Sequence, residues 1–212
     1  MGFVVHPARI LISGPSGSGK SHLVARILAD LDDVFDKKIE GVTVCFTRNQ
    51  SLYADMVSKC KVPVKMVKGL PENLNIPKKH LLVLDDLMGD GYQKISDIFT
   101  KDSHHGDFSV IYIVQSLFNK NPFHRVISLN AQYLVLLPNP RDKSQISHLA
   151  RQISPGNPSF VIDAYFKSTS ENFGYLLIDC RPDTNEELRL RDSIFSGAGV
   201  WGEIKGAHRV SI

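Results

Sequence analysis

The sequence of 212 residues lacks the marks of secreted and membrane-spanning proteins. No apolar run approaches the roughly 18 residues that cross a bilayer, and the N-terminal residues lack the charged and apolar regions of a signal peptide. There are only three cysteines, Cys45, Cys60 and Cys180, and none forms a C-x-x-C pair. Their odd number and wide spacing argue against a structural disulfide or zinc site and favour a reducing compartment. We therefore expect a non-secreted protein without a membrane partner.

The sequence also lacks a strong excess of charge. The net charge of +3 permits contact with nucleic acid but does not require it. Lysine is locally enriched between residues 59 and 79, where a single acid, Glu72, accompanies Lys59, Lys61, Lys65, Lys68, Lys78 and Lys79. Such a patch is typical of a surface that follows a phosphate backbone and equally of a solvated lysine surface. The sequence leaves both interpretations open.

What the sequence does contain is a phosphate-binding loop near its start. The segment Gly14-Pro15-Ser16-Gly17-Ser18-Gly19-Lys20-Ser21 fits the Walker A pattern G-x-x-x-x-G-K-[ST]. Its glycines allow a tight turn that points consecutive backbone N–H groups at a phosphate chain. In this pattern Lys20 reaches the β- and γ-phosphates of ATP, and the Ser21 hydroxyl is the expected Mg²⁺ ligand.

The flanks of the loop provide the context that the motif needs. Residues 8–13 form a short apolar run, typical of a buried strand. After the loop, apolar residues recur at helical spacing at Leu23, Val24, Ile27, Leu28 and Leu31. A helix that begins at the loop presents its positive end to the phosphates. We therefore predict a nucleotide-binding site and reject a chance match.

A second apolar run, residues 81–84, ends in Asp85 and Asp86. Open parallel sheets bind ligands at the carboxyl edge of their strands, so Asp85 is predicted to lie near the loop, as in a Walker B element. Asp85 would hold Mg²⁺, and Asp86 would act as general base on the attacking water. The alternative is a strand closed by a turn-forming pair of aspartates, which the upstream loop disfavours.

Two further polar features lie around the next predicted strand, residues 109–114. Gln115 follows that strand and is predicted to sense the γ-phosphate or to orient water, the alternative being an amide that satisfies loop backbone. His104 and His105 precede it. An adjacent histidine pair invites a metal-binding interpretation, but surface or packing roles are favoured because no other Cys/His cluster accompanies the pair.

The rest of the pattern predicts an α/β fold. Strands alternate with helices, which implies a mostly parallel sheet covered on both faces. We expect a motor domain over residues 1–180 and a loosely held tail over residues 181–212. Further strands are predicted at 42–46, 64–67, 133–137 and 175–178, helices at 51–59, 92–100, 142–153 and from 157, and loops at 30–40 and 104–107.

The blocks of sequence that carry a family resemblance are residues 81–88, 99–101, 103–105, 109–112, 115–118, 125, 127–133, 139–143, 149–153 and 174–179. They resemble the genome-packaging ATPases of the FtsK-HerA superfamily. That superfamily lies in the ASCE division of P-loop NTPases, together with the RecA-like motors. The resemblance is greatest to the packaging ATPases of Polinton (Maverick) elements and adintoviruses, and it covers nearly the whole chain.

The resemblance implies an ATP- and Mg²⁺-dependent oligomeric ring that pumps double-stranded DNA into a preformed capsid, at its portal or vertex. It also implies that the protein acts inside the host cell, in the nucleus or cytoplasm, where virions assemble. The resemblance also implies that Asp85 is the metal-side carboxylate, Asp86 the catalytic acid and Gln115 the sensor. Many relatives in the wider superfamily carry Glu where Asp86 stands.

A neighbouring subunit is expected to supply an arginine finger. Arg141 is the first candidate, because it lies in a proline-rich loop after the strand predicted at residues 133–137, just before a helix. Arg125 is the second candidate and Arg151 the third. The alternative for Arg141 is an ion pair with Asp142 or another local acid.

Two other functions suit the same residues. A P-loop nucleotide or small-molecule kinase would need an acceptor pocket and a lid, and the sequence has no long Arg-rich lid insert. An ATP-gated DNA-binding protein without turnover would not need both Asp85 and Asp86.

Overall fold

The computed structural model describes residues 2–87, 91–197, 199–202 and 208–211. Its strands are β1 Arg9–Ser13, β2 Gly41–Phe46, β3 Val64–Lys68, β4 His80–Asp85, β5 Ser109–Val114, β6 Tyr133–Leu136, β7 Leu176–Asp179, β8 Leu190–Arg191, β9 Gly199–Gly202 and β10 His208–Ser211. Its helices are α1 Lys20–Ala29, α2 Leu31–Val34, α3 Leu52–Lys59, α4 Tyr92–Asp97, α5 Ser103–His105, α6 Pro122–Asn130, α7 Ser144–Ile153 and α8 Pro158–Ser168. A π-helical segment, Ile98–Asp102, joins α4 to α5, and a 3₁₀ turn spans Glu186–Leu188.

All ten strands belong to one sheet, in the order β10-β9-β8-β7-β6-β1-β5-β4-β2-β3. The six strands from β6 to β3 are mutually parallel. The other four continue the sheet antiparallel from β6. The predicted α/β fold with a mostly parallel sheet is therefore confirmed.

Helices cover both faces of this sheet. Successive side chains of a strand point to opposite faces, so a central strand contributes to two cores. In β1, Ile10 and Ile12 belong to one core and Leu11 to the other. The first core contains the buried residues of α1, α2 and α3. The second contains those of α4, α6, α7 and α8. Central strands buried on both faces explain the continuous apolar runs in the sequence.

The strand register brings the predicted polar residues to one edge. Asp85, the last residue of β4, pairs with Phe46 of β2 and with Ile113 of β5. Ser13, which ends β1, pairs with Val114 of β5. Since β5 lies between β1 and β4, the loops after all three strands converge at the carboxyl edge of the sheet.

Two local expectations are wrong. The connection predicted over residues 30–40 is not wholly a polar surface loop, because α2 forms there and Leu31, Val34, Phe35 and Ile39 are buried. The helix predicted to end at residue 100 continues through the π-helical segment and α5 to His105. Beyond that end Ser103 is buried, and its hydroxyl donates to the Phe99 carbonyl at 3.4 Å, so the helical segment continues past residue 100.

The described residues after Cys180 also pack against the rest of the fold more than we expected. It adds β8, β9 and β10 to the sheet, and Leu190, Ile194, Val200 and Trp201 are buried. Its apolar residues are few and widely separated in sequence, so no periodic pattern indicated this packing. Loose attachment is therefore wrong for the described residues of this segment. The functional division between residues 1–180 and 181–212 stays a prediction.

The lysine-rich stretch surrounds β3, the edge strand of the sheet. All six lysines are exposed. Lys61 lies 3.7 Å from Asp30 and Lys79 lies 3.3 Å from Glu40. Lys65 and Lys68 lie on this edge strand, where lysines discourage pairing with other chains, so the cluster does not by itself indicate nucleic-acid binding. Within the described residues, no helix is long and apolar enough to cross a membrane.

Candidate nucleotide-binding site

The Walker A segment forms a loop between β1 and α1. At several positions of this loop the backbone conformation or the available space favours glycine. Gly17 and Gly19 have φ angles of 80° and 98°, in the left-handed region. A Cβ atom at Gly14 would lie 2.6 Å from the Ser18 hydroxyl oxygen. The loop ends at Lys20, where α1 begins. Its backbone therefore has the tight turn and the helix N-terminus that the motif predicts.

Lys20 is held against the loop that precedes it. Its Nζ donates hydrogen bonds to the carbonyls of Gly14 and Pro15, both at 2.7 Å. Burial lowers the pKa of Lys20, and the nearby carboxylates of Asp85 and Asp86 oppose that shift. The ammonium group therefore hydrogen-bonds the loop and interacts electrostatically with the carboxylates at the end of β4.

Asp85 is almost fully buried, with 4% of its surface exposed. Burial raises the pKa of its carboxyl group, Asp86 adds to that shift, and Tyr53 and Lys20 act against it. The Tyr53 hydroxyl donates a hydrogen bond of 2.7 Å to Asp85 Oδ2. Because buried polar groups need partners, this hydrogen bond and the neighbouring cation stabilise the carboxylate at the strand end.

Tyr53 is a site residue that the sequence reasoning missed. It is buried on α3 and packs against Phe46, with ring centroids 4.9 Å apart. The available signal was weak, since Tyr53 and Met56 together form only a short apolar face of α3. Nothing in that spacing separates a core tyrosine from one that hydrogen-bonds a carboxylate.

Asp86 and Gln115, the predicted water-placing residues, contact each other. Gln115 Nε2 donates to Asp86 Oδ1 over 3.3 Å, and both side chains are exposed. Asp86 has a φ of 51°, in the left-handed region that aspartate tolerates better than most residues. Thr47 stabilises this turn, because its hydroxyl donates to the Asp86 carbonyl at 2.9 Å.

These groups line one cleft of about 610 Å³. Its volume is within the range of ligand pockets. Its lining comprises Ser16, Gly17, Gly19, Lys20, Ser21, His22, Gln50, Ser51, Leu52, Asp85, Asp86, Ile113, Val114, Gln115 and Phe173. The structure therefore brings together five of the predicted loop residues, both carboxylates and Gln115. The other three loop residues, Gly14, Pro15 and Ser18, do not line this cleft.

The side chains also suit a magnesium nucleotide. The Ser21 hydroxyl and the Asp85 carboxylate line the same cleft, and Mg²⁺ prefers oxygen ligands of these kinds. The buried Ser18 hydroxyl has no hydrogen-bond partner among the described residues. Ser18 does not line the cleft, so the fit of a magnesium nucleotide rests on Lys20, Ser21 and Asp85.

The arginine candidates lie outside this cleft. Arg141, Arg125 and Arg151 are all exposed, and none lines it. Among the described residues, no acid forms an ion pair with Arg141. Asp142 instead accepts hydrogen bonds from the side chains of Ser144 and Gln145, at 2.5 and 2.6 Å.

Gln145 connects the two loops that flank β1 at the carboxyl edge of the sheet. Its amide nitrogen also donates to the Ser116 hydroxyl at 2.9 Å, and its oxygen accepts from the Leu117 backbone N–H at 3.2 Å. The loop after Gln115 is thereby joined to the loop that carries Arg141. Gln145 lies in the first turn of α7 and is half-buried.

The adjacent histidines are placed at the C-terminal end of α5, not in a loop. Both are exposed, and their ring centroids lie 5.7 Å apart. No group of three or more His, Cys, Asp or Glu residues with the spacing of a metal site occurs in the part of the chain that the structure describes.

Comparisons with known proteins give distant structural matches. No protein-family model matches the chain, and no curated protein sequence does. The genome packaging NTPase B204 from Sulfolobus turreted icosahedral virus 2, solved with sulfate, is 16% identical, with a TM-score of 0.48 over 84% of this chain and 94% of that one. The Legionella pneumophila ATPase DotB is 12% identical, with a TM-score of 0.41 over 79% of this chain and 53% of that one.

A third match is EssC (ATPases 2 and 3) from Geobacillus thermodenitrificans. It is 11% identical, with a TM-score of 0.48 over 97% of this chain and 39% of that one. Likeness at these identities and TM-scores assigns neither a family nor an activity. The functional argument therefore depends on the geometry of the cleft.

Removing the Tyr53 hydroxyl should change the pH dependence of nucleotide binding. The hydrogen bond from Tyr53 favours the ionised form of Asp85, so Tyr53→Phe is expected to raise the pKa of that carboxyl group. Metal ligands must be deprotonated, so Mg²⁺-dependent ATP binding should be lost at a higher pH than in the parent protein. Titrating a fluorescent ATP analogue at constant Mg²⁺ across the acidic range measures this shift.

Tyr175→Phe is the matched control for this experiment. It also removes a buried tyrosine hydroxyl, but that hydroxyl accepts from the Ile194 backbone N–H at 2.9 Å and lies outside the cleft. The control should keep the parent pH profile. Identical profiles for both variants, or a shift to lower pH in Tyr53→Phe, would contradict the role given to Tyr53.

Proposed function

We propose that this chain is an ATPase motor that translocates double-stranded DNA and packages a viral or virus-like genome into a capsid. The observation that supports ATP hydrolysis is the convergence of Lys20, the buried Asp85 and the Asp86–Gln115 pair on one cleft at the sheet edge. The link to DNA and to packaging comes from the sequence blocks that resemble packaging ATPases.

The chemistry that we propose is mostly positioning and charge neutralisation, as in other phosphoryl-transfer enzymes. The loop N–H groups and Lys20 bind the triphosphate. Ser21 and Asp85 hold Mg²⁺, which neutralises phosphate charge when bound. Asp86 and Gln115 orient the attacking water, and Asp86 accepts its proton.

The contact between Asp86 and Gln115 favours hydrolysis over the two rival functions. A carboxylate and an amide that converge from neighbouring loops form a small polar site, which suits a water molecule better than a large acceptor substrate. A switch that only binds ATP needs neither group. The proposed partners are duplex DNA, other copies of this chain in a ring, and a capsid vertex or portal inside the infected cell.

The proposal predicts ATP hydrolysis that duplex DNA accelerates. Lys20→Ala should abolish hydrolysis and leave the fold intact, because Lys20 contacts loop carbonyls and belongs to neither core. Phosphate release measured with and without duplex DNA tests both statements, and circular dichroism tests the fold. Lys38→Ala is the matched control, since Lys38 is exposed and outside the cleft.

The two halves of this proposal fail in different ways. Parent-like hydrolysis by Lys20→Ala would contradict the loop assignment. Hydrolysis that depends on Lys20 but does not respond to duplex DNA would contradict the motor function and leave the ATPase assignment standing.

An arginine from a neighbouring subunit is proposed to complete the site. Lys20 is the only lysine or arginine among the described residues that line the cleft, and phosphoryl transfer leaves charge that it neutralises only in part. Arg141 is the first candidate, ahead of Arg125 and Arg151. It is exposed and follows β6, whose carboxyl end lies at the same edge as the loop, and Asp142 is engaged elsewhere.

Mixing two inactive variants tests this arginine. Arg141→Ala should lose most hydrolysis, since a finger supplied in trans contributes about 10³–10⁵ in rate. Mixed with Lys20→Ala subunits, it should regain activity, because an intact loop can then lie beside an intact arginine. Co-assembly is verified by size-exclusion chromatography with two different tags. Co-assembled mixtures that regain no hydrolysis would contradict a role in trans.

A further inference from the structure

Phe173 is an exposed aromatic side chain beside the phosphate-binding loop. It is 64% exposed, although it lines the cleft that contains Lys20 and Asp85. A Cβ atom at Gly19 would lie 2.6 Å from Phe173 Cδ1, so the ring rests directly on the loop. The ring of His22 is also close, with centroids 6.1 Å apart.

The backbone holds Phe173 in this position at a conformational cost. Its φ of 64° is in the left-handed region, which bulky residues rarely adopt. The next residue, Gly174, packs so closely against the Ser168 carbonyl that a Cβ atom would clash there. Because the Phe173 ring is exposed, burial of the side chain does not offset the cost of this backbone conformation. Backbone conformations of this kind are concentrated at functional sites.

A second cavity, of about 530 Å³, adjoins the nucleotide cleft. The two share Gly19, His22, Leu52 and Phe173 in their linings. The second cavity extends between α1 and α3, where it is lined by Leu23, Ala25, Arg26, Ala29, Asp55 and Lys59. Asp85, Asp86 and Gln115 line only the first.

This arrangement gives the combined cleft two chemically different ends. The end beside Asp85 and Lys20 suits the terminal phosphates and their metal ion. The other end is reached past Phe173 and His22 and has an apolar wall formed by α1, including Leu23, Ala25 and Ala29. The second cavity therefore has room for the ribose and base of a nucleotide whose phosphates occupy the loop.

We propose that Phe173, assisted by His22, is the platform on which the base of the nucleotide stacks, with the second cavity as the base and ribose subsite. This inference rests on the proposed nucleotide binding at the loop. Aromatic rings stack on any nucleobase, since every base has a π-face, and the larger face of a purine gains more contact. The site should prefer purine to pyrimidine nucleotides.

Comparing ATP with inorganic tripolyphosphate isolates the contribution of the base. Isothermal titration calorimetry with each ligand, in the presence of Mg²⁺, should show that the parent protein binds ATP more tightly. Phe173→Ala should weaken ATP binding about tenfold, the size expected for a lost stacking contact. Its tripolyphosphate affinity should remain within about twofold of the parent value, because the loop and Lys20 are unchanged. Phe173→Tyr should retain ATP binding.

Phe166→Ala provides the matched control. Phe166 is also an exposed phenylalanine, with 43% of its surface accessible, but it lines neither cavity. Its loss should leave both affinities unchanged. Tripolyphosphate binding by Phe173→Ala reports independently that the loop is intact, so a misfolded variant cannot imitate the expected result.

Three results would overturn the inference. Unchanged ATP affinity in Phe173→Ala would show that the base lies elsewhere, and an altered oligomeric state in that variant would then assign the ring to a contact between subunits. Equal weakening of ATP and tripolyphosphate would show that Phe173 only shapes the loop. If the parent protein bound neither ligand, the proposed function would fail together with the base subsite.

Discussion

The burial of one carboxylate at the end of a central strand is the constraint on which the site depends. Asp85 is placed by the register of β4 between β2 and β5, and its desolvation disfavours the ionised form that a metal ion requires. The Tyr53 hydrogen bond and the positive charge of Lys20 offset that cost. The loop, α3 and β4 are therefore coupled through a single carboxylate, although they are far apart in sequence.

Hydrogen bonds also join the loops that follow β4, β5 and β6, next to this carboxylate. Gln115 contacts Asp86, and the following residue, Ser116, accepts a hydrogen bond from Gln145 at the start of α7. Gln145 also donates to Asp142, next to Arg141. The Asp86–Gln115 end of the cleft is therefore joined by a short chain of hydrogen bonds to the exposed loop that we propose to meet a neighbouring subunit.

The sequence predicts the parts of this structure that follow from local patterns. The phosphate-binding loop, the strand that ends at Asp85 and the strand that ends at Gln115 each have a motif or an uninterrupted apolar run, and the structure brings them together. Tyr53 and Phe173 were not predicted, because their roles arise from contacts between distant segments, and a single aromatic residue has no periodicity. The packing of residues 181–197 and 199–201 was missed for the same reason, because the few buried apolar residues there pack against other elements.

The central claim is that Asp85 and Asp86, adjacent in sequence, have different roles. Affinity for ATP with and without Mg²⁺, measured together with hydrolysis for Asp85→Asn and Asp86→Asn, tests it most directly. We predict that Asp86→Asn binds Mg-ATP like the parent protein while hydrolysis falls by about 10²–10⁴, as expected when a general base is lost. Asp85→Asn should lose the Mg²⁺-dependent part of its ATP affinity. Equal effects of the two substitutions on Mg-ATP affinity would contradict the account.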